Sequence, residues 1–425
     1  MLDLKFIKEN ADAVKANVAN RFMNADVDKV ISLYEKRNLL KSEIDELRRK
    51  RNENAKAMKG KLEAEKRTKL IEEGKKLKET IAEKEKELEK VSAELEEEHL
   101  KIPNMAHPDA PIGKEDKDNL EIARFGEPAA LNFTPENHLE LMEKLDLIDF
   151  ETGAKVAGSK FYFLKNEAVL LELALIHYTI NILRKHGFVI TTTPDIAREE
   201  IAAGTGYNPR GNESNIYNIE GTGTCLVGTA EITLGGYYAG DIINLDNGPI
   251  LMAGLSHCFR REAGAAGQYS KGLYRVHQFT KLEMFAYCKT EESDDLLERL
   301  RKIEEEIFSG LGISFRVVDT CTGDLGAPAY RKYDLEAWMP GRGENGGWGE
   351  VTSTSNCTDY QSRRLGIRYK DESGKTKYAH TLNGTAVAIS RALIAVIENG
   401  QQEDGSIKIP EALVPFCGFD TIAAK

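Results

Sequence analysis

Arginines, glutamates and a phenylalanine lie close together in a short stretch past the middle of the chain. Cys258-Phe-Arg260-Arg261-Glu262 is followed, after a glycine-containing loop, by Phe279 and Glu283. We predict a strand, a loop and a returning strand, with Arg260 and Glu262 on one strand face because side chains alternate along a strand. A guanidinium beside a carboxylate suits a phosphate and a base amino group. An isolated pattern of this kind would equally predict a salt-bridged hairpin with an ordinary core phenylalanine.

The common nucleotide-binding and zinc-binding patterns are missing from the sequence. It contains no GxxxxGK[ST] and no GxGxxG after a predicted strand, so any use of ATP requires another architecture. The six cysteines are scattered singly, without a CxxC pair or a Cys/His cluster of zinc-ligand spacing. We expect reduced, mostly buried thiols and no zinc.

The elements that would position these residues intermix helices and strands. Helical patterns cover 168–185 and 291–311, and a small-residue-rich helix is predicted over 385–398. Strands are predicted over 187–194, 250–253, 280–287 and 313–319. The fold class is therefore α+β, with an antiparallel sheet flanked by helices.

The first hundred residues have a different character. Two apolar series step by three and four residues, from Val30 to Met58 and from Leu70 to Leu95, as in coiled coils. Gly60 lies between them, which favours a self-paired antiparallel hairpin over a dimerising coiled coil. We expect two helices of about 34 residues, each roughly 50 Å long.

The predicted tip of this hairpin is basic, although the whole chain carries a net charge of −11. Lys and Arg side chains contact nucleic-acid phosphates in a salt-dependent way, so the tip is either a candidate nucleic-acid-binding surface or only a solvated face. Its basic residues are Arg48, Arg49, Lys50, Arg51, Lys56, Lys59, Lys61, Lys66, Arg67 and Lys69.

Length and composition indicate the domain organisation and the general class of protein. The 425 residues predict an N-terminal domain over 1–104, a proline-containing linker over 105–119 and a larger domain over 120–425. No apolar run is long enough to span a membrane, and the N-terminus lacks a secretory pattern, so we expect a cytoplasmic protein without membrane partners.

The central block resembles motif 2 of the class II aminoacyl-tRNA synthetases, and specifically that of the seryl-tRNA synthetase family. Further stretches resemble this family in the same order: the opening Leu4-Lys5-Phe6-Ile7, the helical arm, motif 1 at Gly187–Pro194, Thr229-Ala230-Glu231, Glu350-Val351-Thr352-Ser353, and motif 3 from Asn383 to Arg391. The motif 2 loop at Gln268–Lys271 and the segment Gly235–Gly248 differ from the usual family sequence.

The resemblance implies ATP as co-substrate and a role for each matching residue. Arg260 would bind the α-phosphate and also the serine carboxylate, with Arg261 beside it, and Glu262 would accept a hydrogen bond from the adenine amino group. Phe279 would stack on the base, with Val276 lining the nucleotide site. Arg391 would hold the γ-phosphate, and Glu350 and Ser353 would bind Mg2+, a hard ion that takes oxygen ligands; Val351 and Thr352 complete that stretch.

The resemblance also implies a serine pocket. Within the serine-binding triplet Thr229-Ala230-Glu231, Thr229 and Glu231 would receive the ammonium group. Glu283 and Thr385 would bind the hydroxyl, with Asn383 nearby. We count Arg260, Glu283 and Arg391 as the catalytic residues. A site that binds a hydroxyl rejects alanine, because buried polar groups would be left unpaired.

The family further implies a homodimer through motif 1, and tRNA(Ser) as the acceptor, with tRNA(Sec) as a second acceptor by analogy. Two alternatives stay open at this stage. One is a class II paralogue that charges another carrier, for which a long basic arm has no use. The other is an inactive tRNA-binding homologue, which predicts loss of the ATP residues.

Overall fold

The computed structural model describes residues 1–60, 63–128, 131–207, 215–262 and 272–425. The chain divides into two compact units, Met1–Met105 and Ala106–Lys425. Within the part of the chain described, no helix is both long and apolar enough to cross a lipid bilayer. All six cysteines are buried free thiols.

The first unit is helical. Asp26 caps the N-terminus of the first long helix of the hairpin, because its side chain accepts a hydrogen bond from the Lys29 amide at 2.9 Å. Gly60 has φ of +117°, a conformation that glycine adopts without a Cβ penalty. The predicted helical hairpin is therefore confirmed. Its helices are α1 (Leu4–Glu9), α2 (Ala11–Asn20), α3 (Val27–Ala57) and α4 (Ala64–Leu100).

The seam between α3 and α4 is apolar only in its proximal half. Val30, Leu40 and Ile44 on α3 are buried, as are Ile81 and Val91 on α4. Towards the tip, the prediction that Met58 lies in the seam is wrong, because its side chain is 40% exposed. The distal arm therefore has little apolar packing of its own.

The second unit contains helices on and around strands. Its helices are α5 (His138–Lys144), α6 (Phe150–Ala157), α7 (Glu167–Lys185), α8 (Glu199–Thr205), α9 (Ala230–Gly235), α10 (Ser293–Gly310), α11 (Tyr360–Leu365), α12 (Ile389–Gly400) and α13 (Val414–Cys417). Its strands are β1 (Leu120–Phe125), β2 (Ile148–Asp149), β3 (Phe163–Leu164), β4 (Val189–Thr192), β5 (Ile196–Arg198), β6 (Asn218–Ile219), β7 (Thr224–Leu226), β8 (Ile242–Ile243), β9 (Ile250–Phe259), β10 (Gln278–Cys288), β11 (Phe315–Asp319), β12 (Arg331–Met339), β13 (Gly347–Asn356), β14 (Arg368–Lys370), β15 (Thr376–Tyr378), β16 (His380–Ala388), β17 (Ile407–Lys408) and β18 (Thr421–Ile422).

One large sheet organises this unit. Among the described residues its strand order is β1-β11-β12-β13-β16-β10-β9-β4, antiparallel throughout except where β4 runs parallel to β9. The register places Glu283 opposite Thr385, and Ser353 opposite Asp334. This arrangement confirms the predicted α+β class with an antiparallel sheet.

The prediction of a helix over 385–398 is wrong at its start. Thr385 lies in β16, a strand buried along its whole length, and α12 begins only at Ile389. Small residues such as Gly384 and Ala386 suit a central strand packed on both faces, which a small-residue-rich pattern does not distinguish from a helix.

Candidate active site

A cleft of about 340 Å³ opens on one face of the large sheet. Most of the residues predicted from the sequence line it, although they come from distant parts of the chain. These are Glu231, Arg260, Glu262, Val276, Phe279, Glu283, Glu350, Val351, Thr352, Ser353, Asn383, Thr385 and Arg391.

Three predicted residues do not line this cleft as far as the described chain defines it. The Thr229 hydroxyl caps α9 by accepting from the Glu231 amide at 3.2 Å, and Ala230 is fully buried in the core. The Arg261 amide donates to the Asn215 carbonyl at 2.9 Å. Their predicted ligand contacts stay predictions.

Arg260 and Glu262 reach the cleft differently from the way we predicted. Strand β9 ends at Phe259, and Glu262 has φ of +48°, so strand alternation does not govern the pair. The Arg260 guanidinium lies 5.3 Å from the Phe279 ring centroid and its Nε donates to the Gly228 carbonyl at 3.2 Å. These contacts orient a cation beside an aromatic face.

One end of the cleft contains a buried carboxylate. Glu231 accepts hydrogen bonds from the Tyr207 hydroxyl at 2.8 Å, the Gln361 amide at 2.8 Å and the Asn383 amide at 3.0 Å. All three donors are neutral. Burial, and next the charge of Glu283, raise the pKa of Glu231. Such a carboxylate favours a cationic ligand group.

A second carboxylate in the same cleft has a cation beside it. Lys281 and Glu283 point to one face of β10 and form an ion pair, and both are almost completely buried. The Thr385 hydroxyl accepts from Lys281 Nζ at 3.4 Å and donates to Glu283 Oε2 at 3.3 Å. A register shift between Leu282 and Glu283 brings Thr385 opposite this carboxylate.

The other end of the cleft contains two ion pairs. Arg391, on the first turn of α12, lies 3.1 Å from the Glu350 carboxylate and 4.8 Å from the Tyr274 ring centroid. Burial opposes charge on Glu350, but Arg391 and then Lys332 hold its pKa below the usual value. Lys332 also lines the cleft and pairs with Asp334 at 3.3 Å.

Several cleft residues were missed by sequence reasoning. Tyr207, Lys281 and Lys332 each contact or neighbour a predicted residue. Lys281 stands two positions before Glu283, so period-two alternation could have identified it. Tyr207 and Lys332 come from segments without a local signal, and only the tertiary fold brings them to the cleft.

Comparison with known proteins agrees with this geometry. Residues 219–400 match the tRNA synthetase class II core domain (G, H, P, S and T), and residues 1–106 match the seryl-tRNA synthetase N-terminal domain. The serine–tRNA ligase of Treponema denticola is 67% identical over 99% of this chain and 100% of its own. That of Borreliella burgdorferi is 55% identical over 100% of both chains.

A solved structure gives the same result. The crystal structure of seryl-tRNA synthetase from Pyrococcus horikoshii complexed with ATP covers 100% of both chains with a TM-score of 0.90 and 38% identity. The fold and cleft therefore define a class II aminoacyl-tRNA synthetase, a ligase that binds ATP. Within that class, the chain belongs to the seryl-tRNA synthetase family.

Proposed function

We propose that the cleft condenses serine with ATP to seryl-adenylate and then transfers the seryl group to the terminal ribose of tRNA(Ser). The observation that carries this proposal is the buried Glu231, whose hydrogen-bond donors are all neutral, in the same cleft as Arg260 and Arg391. A carboxylate at one end and guanidinium groups elsewhere suit an amino acid beside a nucleotide phosphate.

For ATP binding, the proposal uses the arginines of the cleft and the residues beside them. Arg260 binds the α-phosphate and Arg391 the γ-phosphate, while Phe279 stacks on adenine and Glu262 accepts from its amino group. A serine carboxylate oxygen attacks the α-phosphorus, the bond to the bridging oxygen breaks, and pyrophosphate leaves. Fixed guanidinium groups stabilise the charge that develops, so alignment and electrostatics supply the acceleration.

Glu350 and Ser353 are the proposed ligands of Mg2+. Among the described residues, no group of three or more His, Cys, Asp or Glu side chains could hold a metal by itself. The donor set nevertheless fits, because a carboxylate and a hydroxyl in one cleft complement phosphate oxygens, which normally share Mg2+ with the protein. When bound, the ion neutralises phosphate charge.

For serine binding, the proposal uses the end of the cleft that contains Glu231. Glu231 binds the ammonium group, whereas Glu283 and Thr385 bind the hydroxyl, with Asn383 fixing Glu231 through its amide at 3.0 Å. Thr229 and Ala230 act through α9, whose first turn contains Glu231. Alanine is rejected because it leaves this polar end unmatched.

The basic arm is the proposed tRNA contact. Arg48, Arg49 and Lys50 are exposed but pair with nearby glutamates. Other basic residues at the tip are exposed and form no ion pair within the part of the chain described: Arg51, Lys56, Lys59, Lys66 and Arg67. Lys61 lies outside the described residues. Unpaired cations at the end of an arm suit phosphates.

We also propose a cytoplasmic homodimer, with tRNA(Sec) as a second acceptor by family analogy. The edge strand β4 exposes Val189, and α7 exposes Leu170 and Leu173, which are 60%, 45% and 57% accessible. Exposed apolar residues beside an unpaired strand edge suit a protein interface. Sedimentation of wild type and Leu173→Glu tests this, since only the variant should be monomeric.

ATP–pyrophosphate exchange across all twenty amino acids tests the whole proposal. Exchange should depend on serine and collapse in Arg260→Ala. Exchange with a different amino acid would refute the substrate, and charging of a carrier other than tRNA would favour the paralogue. No exchange in the wild type would favour the inactive homologue, although the residues proposed for ATP are all present.

A further inference from the structure

Two carboxylates face the proposed serine pocket, and their surroundings are unequal. Among the described residues, Glu231 accepts from three neutral groups, on Tyr207, Gln361 and Asn383. Glu283 is instead in direct contact with the Lys281 ammonium. Serine brings one ammonium and one hydroxyl to this pocket, so either carboxylate could in principle attract the ammonium.

We propose that Lys281 is a positioning residue that determines which way serine binds, and that it thereby enforces the requirement for a hydroxyl. This inference rests on the proposed function. Lys281 neutralises Glu283 internally and leaves Glu231 as the carboxylate that attracts the substrate ammonium. The two carboxylates and one lysine leave one net negative charge, which a single ammonium balances.

The hydrogen bonds around Glu283 explain the hydroxyl requirement. The ion pair with Lys281 and the hydrogen bond from Thr385 both fall on Oε2. We assign the other oxygen, Oε1, to the serine hydroxyl. A carboxylate oxygen accepts a hydrogen bond from a hydroxyl. Alanine offers no donor to this oxygen, so its buried lone pairs stay unmatched.

Thr385 contacts the same lysine from the neighbouring strand β16. Its hydroxyl accepts from Lys281 and donates to Glu283, so it links the two charged residues on this side of the pocket. Lys281 is only 5% exposed, and its ammonium therefore acts at short range without screening by bulk solvent. The lysine orders the pocket without needing to touch serine.

Amino-acid-dependent pyrophosphate exchange by Lys281→Met tests the positioning role, with Lys281→Arg as the variant that keeps the charge. We expect Lys281→Met to raise the KM for serine and to raise the alanine-to-serine ratio of kcat/KM at least tenfold, while Lys281→Arg recovers part of the discrimination. An unchanged ratio in Lys281→Met would overturn the proposal. Serine-dependent exchange by the wild type tests the proposed function separately.

Improved use of a new substrate provides a readout that partial misfolding of the variant cannot produce. 2,3-Diaminopropionate carries an ammonium where serine has its hydroxyl, and should be tested at a pH where both amino groups are protonated. Its ammonium could replace the missing lysine charge beside Glu283. We expect the diaminopropionate-to-serine ratio to rise at least tenfold in Lys281→Met. A ratio equal to that of the wild type would count against a charge-based role.

The double variant Lys281→Met/Glu283→Gln is the control for misfolding of Lys281→Met. Removing one partner leaves a buried unpaired ion, whereas removing both charges does not. We expect the lysine substitution to change the serine KM at least tenfold less in the Glu283→Gln background than alone. Effects that simply multiply would show that the two residues act independently and would overturn the proposal.

Discussion

Arg391 contacts Glu350 twice through a single nitrogen: Nη1 donates to the backbone oxygen at 3.0 Å and lies 3.1 Å from carboxylate Oε2. The pair joins the first turn of α12 to β13, and both side chains line the cleft. The groups that we assign to phosphate and to metal therefore contact each other directly.

Arg391→Ala should lower kcat/KM for ATP in serine-dependent pyrophosphate exchange by about 10²–10³-fold, which is typical for removing one preorganised group that stabilises developing charge. Arg342→Ala is the matched control, because Arg342 also lies over the Tyr274 ring, at 4.6 Å, but does not line the cleft as described. Equal losses in both variants would point to the aromatic stack instead of a phosphate contact.

Glu350→Gln should increase the Mg2+ concentration for half-maximal exchange by about tenfold, since a neutral amide binds a hard cation more weakly than a carboxylate. Titration of the exchange rate with Mg2+ at saturating ATP measures this shift. Glu336→Gln is the control, because Glu336 lies opposite Glu350 in the ladder but pairs with Arg316 at 2.6 Å. Similar shifts in both variants would contradict a metal role for Glu350.

Glu231→Gln should raise the KM for serine about 100-fold or more, because truncating one partner of a buried charged pair costs roughly 2–5 kcal/mol. The free enzyme should not lose thermal stability, since the substitution removes a carboxylate whose pKa burial already raises. Exchange kinetics and calorimetry without serine measure the two effects. A large drop in melting temperature with unchanged KM would assign Glu231 to the fold alone.

Glu304 provides a test of pH dependence. This carboxyl is buried behind the cleft, where Oε2 accepts from the Thr352 hydroxyl at 3.1 Å, and burial raises its pKa well above 4.5. Below that value both folded and unfolded chains hold the proton. As pH rises, the unfolded chain ionises first, so folding loses up to about 1.4 kcal/mol per pH unit until the folded pKa is reached.

Glu304→Gln should therefore remove a decline in stability. We expect the variant to gain in melting temperature relative to the wild type as pH rises above about 4.5, with the difference widening until the folded pKa of Glu304 is reached. Parallel stability profiles for the two proteins would show that Glu304 does not titrate differently in the folded state.

The arm can be shortened where its helices are already paired. Arg48 on α3 and Glu85 on α4 lie 2.8 Å apart, so replacing residues 49–80 with a short glycine linker keeps this pair and the buried Ile81 of the proximal seam. This variant should form seryl-adenylate at the wild-type rate but aminoacylate tRNA(Ser) poorly. Pyrophosphate exchange and tRNA charging measure the two steps, and equal loss of both would mean that the arm is needed for folding.

A substitution series at the tip separates charge from shape. Replacing Lys56, Lys59 and Lys66 with glutamine should weaken tRNA binding and reduce the slope of log K against log salt by about 0.9 per lost duplex phosphate contact. A weaker affinity with an unchanged slope would mean that these lysines do not contact phosphates.

Periodicity predicted the helical arm and the paired strands because each is a local pattern repeated over many residues. The start of α12 was mispredicted, since Thr385-Ala-Val-Ala388 suits a buried strand as well as a helix. Local patterns fail where burial on both faces removes the alternation on which they depend.

The polar partners inside the cleft were harder to predict than the residues that they support. Gln361 contacts Glu231 across 130 positions of sequence, and Thr385 meets Glu283 only because of a register shift in the β10–β16 ladder. Neither relationship leaves a spacing signal. The family resemblance identified the residues proposed to bind ligands. The groups that orient those residues could be identified only from the tertiary structure.

The sheltered state of all six sulfur atoms has a practical consequence. Reagents that alkylate thiols should react slowly with the native chain, so one cysteine introduced at exposed Met58 would give a nearly background-free attachment point for a fluorophore. Anisotropy of that dye would report when the end of the arm becomes restrained by RNA, while the chemistry at the sheet continues undisturbed.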